Sequence, residues 1–314
     1  MSTPSHVKVF FEPVMEQHSP GLYDAAETAA ATPFEQAVTD DGRASYDADG
    51  FLVVSGVFTG EEIERGKNEL EAMTLADDPR CDIVCYEGEI RRLLPPSTAQ
   101  ENIVSGKGVG DALALGRQER QLPDLPAKVR APFIRKFMGF LQTHSDLHAI
   151  AYHPKLLTLV RSMLGAQPEL FQEMALIKPP GGREKPWHQD HAYFNYQIEN
   201  RIVGIWIPFE NTTPDNGCMF AIRGGHRAGP RPHVKRRDWQ ICDSDVETIG
   251  RVCIPMHTGE VMIFDGKLPH GTPVNKTDKF RWAIQFHYKA QTAVEVPDDI
   301  RLASFGSDGK NVTC

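Results

Sequence analysis

Hydrophobic spacing divides the chain into two regimes. In the first half, apolar positions recur at helical intervals. Thr59 with Glu62 three residues on forms a capping box, predicting a helix from there to about Met73. Pro154 opens a second helix that Gly165 closes, with Leu156, Leu157, Val160 and Leu164 on one stripe. Apolar spacing also marks residues 129–141, and an amphipathic stretch covers residues 21–38. One strand is expected early, Phe51-Leu52-Val53-Val54 after the turn signal Asp49-Gly50. Residues 75–125, rich in Gly, Pro and charge, predict no element.

Beyond Phe171 the pattern becomes short apolar runs between turns, at 171–178, 201–209, 218–222, 252–256, 261–264 and 281–288. Closely spaced strands with few helices between them indicate an antiparallel double sheet. The expected fold is α+β or mainly β: a double-stranded β-helix, or cupin-like jelly-roll barrel, with N-terminal helices packed on one sheet. Residues 1–43 read as an N-terminal arm and 44–314 as one catalytic domain. The arm could pack on the domain or reach a second copy of the chain, which permits a homodimer.

Composition narrows the function. The 314 residues are 40% hydrophobic and 24% charged, as in a globular protein with a sizeable core, and the net charge is −8. That balance argues against a general binder of nucleic acid or anionic membrane. No apolar run approaches a membrane span, and no basic-then-apolar leader is visible. Of six cysteines only Cys81 and Cys85 are close together, and no second pair completes a zinc site. Free thiols in a reducing compartment follow, with cytoplasmic location as the expectation.

The candidate chemistry lies in the strand-rich half. His188-Gln189-Asp190 and the distant His270 form a 2-His-1-carboxylate pattern, which leaves coordination positions of an iron open. In extended chain, residues two apart share a face, so His188 and Asp190 can grip one ion while His270 arrives from a strand exit. Histidine is common enough here, with twelve in the chain, that a bare His-x-Asp is weak. A second copy exists at His144-Ser145-Asp146, in helical surroundings that splay the two side chains apart, and it reads as a surface accident. Downstream of His270, alternation places Arg281, Ala283, Gln285 and His287 on one strand face. Trp282, Ile284, Phe286 and Tyr288 take the other and should pack beneath the helices. A buried Arg281 needs an anion, either a structural carboxylate or a bound dicarboxylate.

In order along the chain, these residues resemble the phytanoyl-CoA dioxygenase family of iron(II)/2-oxoglutarate oxygenases. The resemblance spans about residues 49–290. It runs through Asp49-Gly50-Phe51, Gln172-Glu173-Met174, Lys178-Pro179-Pro180, His188-Gln189-Asp190 and Trp206. It continues through Asn216-Gly217-Cys218, Gly224-Gly225-His226, His270-Gly271-Thr272, Asn275 and Arg281. It implies that His188, Asp190 and His270 hold Fe(II), and that Arg281 pairs with the far carboxylate of 2-oxoglutarate. Thr272 would give that carboxylate a hydroxyl, and Gln172, Met174 and Trp206 would belong to the cosubstrate pocket. Dioxygen is the second cosubstrate, and ascorbate a supporting reductant. The arm and residues 75–125 have no counterpart in the pattern, so an acyl-CoA substrate is not implied.

The implied reaction oxidises a small-molecule substrate while 2-oxoglutarate becomes succinate and carbon dioxide. A carboxylate at 190 favours hydroxylation over halogenation, because halogenases of this type lack it. Desaturation, epoxidation and cyclisation share the same chemistry and stay open, as do a non-catalytic binding protein and a cupin-like enzyme using another metal. Candidate substrate contacts are Gln189, Tyr193, Phe194 and Tyr196, while His191 should point away from the metal. Arg223, Arg227, Arg231, Lys235, Arg236 and Arg237 fall within fifteen residues that contain no acid. This run is either a solvated loop or a rim that attracts an anionic substrate, with Arg236 and Arg237 as its candidate contacts.

Overall fold

The computed structural model describes residues 7–11, 18–94, 119–120, 124–247 and 250–306. Local signals set the helices. Thr59 and Glu62 close the capping box reciprocally, Thr59 N donating to Glu62 Oε2 at 2.8 Å and Glu62 N to Thr59 Oγ1 at 3.3 Å, and open the helix Gly60–Thr74. The helix Pro154–Leu164 ends on Gly165 in the left-handed conformation. Asp49-Gly50 is likewise a helix end, since Gly50 (φ 82°) caps an additional helix, Asp40–Asp49, and releases the strand Phe51–Ser55. The stretch 21–38 is not one amphipathic helix. It breaks into strands Glu27–Thr28 and Ala31–Pro33 and a single turn, Phe34–Ala37, because its apolar positions join three different clusters, Leu22 one, Ala29 another, and Phe34 and Ala37 a third.

Two sheets face each other. The larger has ten strands in the order Ala31–Pro33, Phe51–Ser55, Val261–Asp265, Ile202–Pro208, Arg281–Ala290, Pro168–Lys178, Ile134–Met138, Ile83–Tyr86, Lys8–Phe11 and Glu119–Arg120. The smaller has five, in the order Glu27–Thr28, Val252–Ile254, Met219–Ala221, His270–Thr272 and Lys185–His188. This is the expected jelly roll, with the sheets remaining separate rather than closing into one barrel. The arm contributes to both sheets: Glu27–Thr28 pairs with Val252–Ile254, and Ala31–Pro33 with Phe51–Ser55.

Strand parity sorts the core. Trp282, Ile284, Phe286 and Tyr288 join Val203, Ile205, Ile263 and the helical residues Leu70, Leu156 and Val160 in one buried cluster on the outer face. Phe51, Trp206, Met262, Phe264 and Ala283 meet Met219, Ala221 and Ile254 of the smaller sheet between the layers. The polar residues Arg281, Gln285 and His287 therefore face inward among apolar neighbours. The second His-x-Asp copy is split by its helix. His144 is buried, not on the surface, and hydrogen-bonds Phe140 O at 3.1 Å, while Asp146 turns outward to Arg65 at 3.3 Å. Among the described residues no helix is long and apolar enough to cross a membrane.

Candidate metal and cosubstrate site

His188 ends the strand Lys185–His188, and His270 begins the strand His270–Thr272 directly opposite it in register. Neither three- or four-residue strand was predicted, since each is too short to show alternation. Asp190 lies past the strand end, at the start of a 3₁₀ turn, Asp190–Tyr193. The chain is extended through Gln189 (φ −115°, ψ 129°), which brings Asp190 back to the side of His188.

Candidate ligand atoms of these three buried residues lie within 4.8 Å of one another. Asp190 Oδ1 is 3.2 Å from His188 Nε2 and 3.7 Å from His270 Nε2. Two ligands at right angles, each about 2.1 Å from an ion, stand roughly 3 Å apart, so the donors fit a divalent metal. His188 Nδ1 donates to Pro186 O at 2.7 Å and His270 Nδ1 to Leu268 O at 2.9 Å, which leaves both Nε2 lone pairs facing Asp190. Burial, with His188 next, brings His270 down to about 4, so it stays neutral as a ligand must. Burial alone would raise the Asp190 carboxyl. The neighbouring imidazoles of His270 and His287, the latter hydrogen-bonded to it, outweigh burial and hold the group well below the usual carboxylate range.

One cavity opens beside the three ligands. It is lined by Arg281, Thr272, Lys178, Met174, Trp206, Gln285, Tyr193, Lys185 and Lys136 among others. Arg281 is buried, its only hydrogen bond among the described residues runs from Nη1 to Leu176 O at 3.3 Å, and its Nε has no partner. Its guanidinium lies 5.4 Å from the centre of the Trp206 ring. Desolvation brings Arg281 down to about 10, still charged at neutral pH, and Glu210 opposes the fall. Lys178, directly across the strand pair from Arg281, donates to Thr272 Oγ1 at 2.8 Å, to Thr272 O at 3.1 Å and to Pro273 O. Burial first, and Arg281 second, push Lys178 well below the ordinary lysine value. An orphaned buried guanidinium beside a buried ammonium fits a bound dicarboxylate.

The other candidates separate. Met174, Trp206, Thr272 and Tyr193 line the cavity; Gln172, Phe194, Gln189, Arg236 and Arg237 do not. Gln189 is fully buried and spends its side chain on Gly229 O, Lys267 O and Arg231 N, tying two loops around the ligand turn. Phe194 packs edge-on against His287 and Phe171. Arg237 is buried, bound to Glu184 and, through Nη1 at 2.6 Å and Nη2 at 2.8 Å, to Asp243. Arg236, half exposed, also pairs with Asp243. Arg223, Arg236 and Arg237 of the basic run therefore pair with acids from outside it, and none of its six basic residues lines the cavity. Tyr196 stacks edge-on with Phe171, and His191 hydrogen-bonds Tyr196 O at 3.2 Å, away from the metal ligands.

Sequence reasoning gave no role to Lys178, Gln285 or His287. Gln285 Nε2 donates to Asp190 Oδ2 at 3.1 Å, and His287 Nε2 reaches the same oxygen at 2.8 Å. The signal was available in the parity that placed both on the face of Arg281. Tyr23 of the arm was also missed. Its ring stacks on Trp187 at 5.7 Å and its hydroxyl donates to Glu184 Oε2 at 2.9 Å, bracing the strand that carries His188.

Comparison with known proteins agrees with this geometry. The family model for phytanoyl-CoA dioxygenase (PhyH) matches residues 46–283. Mouse peroxisomal phytanoyl-CoA dioxygenase is 27% identical over 300 residues, covering 92% of this chain and 79% of the mouse protein. Two solved structures share the fold. One is the epimerase SnoN in complex with Fe3+, alpha ketoglutarate and nogalamycin RO, at TM-score 0.56 and 19% identity, over 84% of this chain and 87% of that one. The other is EctD from S. alaskensis with 2-oxoglutarate and 5-hydroxyectoine, at TM-score 0.54 and 18% identity, over 88% of this chain and 87% of that one.

Proposed function

The chain belongs to the phytanoyl-CoA dioxygenase family of iron(II)/2-oxoglutarate-dependent oxygenases, and from that premise we propose that it hydroxylates a small anionic substrate. His188, Asp190 and His270 hold the iron, and Arg281 seats the far carboxylate of 2-oxoglutarate. Bound iron supplies the redox chemistry that couples decarboxylation of 2-oxoglutarate to oxidation of the substrate by dioxygen. The protein's part is to orient and to exclude water. Lys178 donates to a lone pair of the Thr272 hydroxyl, so that hydroxyl's proton is free to meet the carboxylate held by Arg281. Trp206 fixes the plane of the guanidinium from one side.

The observation that carries the substrate class is the charge of the cavity wall. Arg135, Lys136, Lys178, Lys185 and Arg281 line it; Glu87 pairs with Arg135 and Asp238 with Lys185 from behind the wall, which leaves Lys136, Lys178 and Arg281 against the one lining carboxylate, Asp190. Even with a dianionic cosubstrate bound beside a divalent ion, that wall favours a second anion. Asp190 supports hydroxylation, because it occupies the ligand position that a halide would need. The cavity is walled by buried side chains, which suits a small molecule better than a macromolecule. The five cysteines among the described residues are free thiols, which supports a reducing compartment such as the cytosol.

The test is succinate release from 2-oxoglutarate with iron(II) and ascorbate, across a panel of carboxylates, phosphates and acyl thioesters set against neutral analogues. The reading expects stimulation by an anionic member and a product heavier by one oxygen atom. Stimulation confined to neutral compounds would contradict the substrate class, and a product lacking the added oxygen would contradict hydroxylation.

A further inference from the structure

We infer that His287, with Gln285 beside it, is a positioning residue that keeps Asp190 bound to the metal through one oxygen. The inference rests on the iron reading above and extends it to the side chains that hold Asp190 from the Arg281 strand. The three ligands are steadied in different ways. His188 and His270 are each anchored by a backbone carbonyl at Nδ1. Asp190 is instead anchored by two side chains on the Arg281 strand, His287 at 2.8 Å and Gln285 at 3.1 Å, both on Oδ2. Oδ1 is the atom facing the two histidine Nε2 atoms. The carboxylate oxygens thus have separate duties.

The tautomer of His287 follows from its surroundings. Its Nδ1 is buried and has no hydrogen-bond partner among the described residues, so a proton there would be an orphaned donor. The ring proton therefore sits on Nε2 and is donated to Asp190. The ring cannot easily leave this pose. Phe194 lies 4.8 Å away and Phe171 6.1 Å away, and the residue is fully buried. On the neighbouring strand its register partner is Gly204.

One-oxygen binding matters because a 2-His-1-carboxylate site leaves three positions open only while the carboxylate takes one. The cosubstrate's chelating oxygens need two and dioxygen the third. If Oδ2 were free to turn toward the metal, it would compete for one of them.

Mn(II) binding by titration calorimetry, followed by 2-oxoglutarate binding to the Mn(II)-loaded protein, tests this without turnover. The proteins are the parent, His287→Phe, His287→Gln and Gln285→Leu, with apo-protein melting as the folding control. His287→Phe should weaken Mn(II) binding about 10–100-fold and weaken 2-oxoglutarate binding further. His287→Gln, which can place an amide N–H near the position of Nε2, should recover most of both. Affinities for both ligands within twofold of the parent in a folded His287→Phe would overturn the inference, as would a His287→Gln no better than a folded His287→Phe. If His287→Phe does not fold, His287→Gln and Gln285→Leu decide. Near-parent binding in the former with several-fold weaker Mn(II) binding in the latter supports the inference, and unchanged Mn(II) binding in Gln285→Leu overturns it. A parent that binds no Mn(II) would remove the iron reading itself, a distinct result.

Discussion

Lys178 donates to the Thr272 hydroxyl at 2.8 Å from a fully buried position directly across the strand pair from Arg281. Burying Arg281 and Lys178 in register with no acid between them is costly, and a bound anion would offset that cost. It also polarises Thr272, whose oxygen accepts from Lys178 and whose proton points elsewhere. Thr272→Val should raise the 2-oxoglutarate Kd roughly 10- to 100-fold, the usual range for a hydrogen bond to a charged group. Thr272→Ser should stay near the parent. Isothermal titration of the metal-loaded protein measures both, and an unchanged valine variant would remove Thr272 from the cosubstrate seat.

Arg281 should tolerate no replacement, lysine included. Its planar fork can bind a carboxylate through two N–H groups while lying against Trp206, and an ammonium can do neither. Arg281→Lys and Arg281→Gln are both expected to weaken 2-oxoglutarate binding by two orders of magnitude or more, about 3 kcal/mol. Metal affinity should stay within a few-fold, since the residue makes no contact with His188, Asp190 or His270 among its described hydrogen bonds. Equal losses of metal and cosubstrate in Arg281→Lys would mean that the variant has disturbed the site as a whole.

Gly204 couples the core to the metal ligands. A Cβ there would overlap the Phe264 ring, and Phe264 in turn packs 4.9 Å from the His270 ring. Gly204→Ala should therefore destabilise the protein by about 1–3 kcal/mol through overpacking and weaken metal binding as His270 shifts. Chemical denaturation and Mn(II) titration test the two effects separately, and loss of neither would show that Phe264 yields without cost.

How far the sequence could be read depended on the range of each interaction. The helices Gly60–Thr74 and Pro154–Leu164 were legible because capping and periodicity act within a few residues. The metal triad was legible only through its context: extended surroundings and the ordered motifs around it set His188-Gln189-Asp190 apart from the helical copy at His144-Ser145-Asp146. The strand Lys185–His188 was hidden by its brevity, and the anchoring of Asp190 by His287 spans ninety-seven positions. The basic run misled for the same reason. The acids that pair with its two ends, Glu184 and Asp243 for Arg237 and Glu27 and Asp49 for Arg223, all lie outside the run.

That pairing makes two adjacent arginines behave differently. Arg237, buried and bidentate to Asp243, should cost about 3–5 kcal/mol when replaced by alanine, because two buried carboxylates lose their partner. Arg236, half exposed on the same Asp243, should cost under about 1 kcal/mol. Neither side chain lines the cavity, so a folded Arg236→Ala should keep its KM for any substrate. Urea denaturation compares the two, and equal costs would contradict the buried network.

Glu210 gives the protein a stability that depends on pH with a definite sign. Burial pushes its carboxyl up to about 7, and the hydrogen bond from Trp282 N and the charges of Arg281 and Lys67 pull it back only in part. In the unfolded chain the group ionises near 4.3. Between those values the folded protein holds a proton that the unfolded chain has released. Its contribution to stability is therefore full below about 4 and is lost as pH rises through 7, on the order of 3–4 kcal/mol. Glu210→Gln keeps an oxygen for Trp282 N but cannot ionise, so it should gain stability relative to the parent as pH rises from 5 to 8. Urea denaturation of both proteins at several pH values reads the difference directly. Parallel curves would show that Glu210 ionises normally in the folded state.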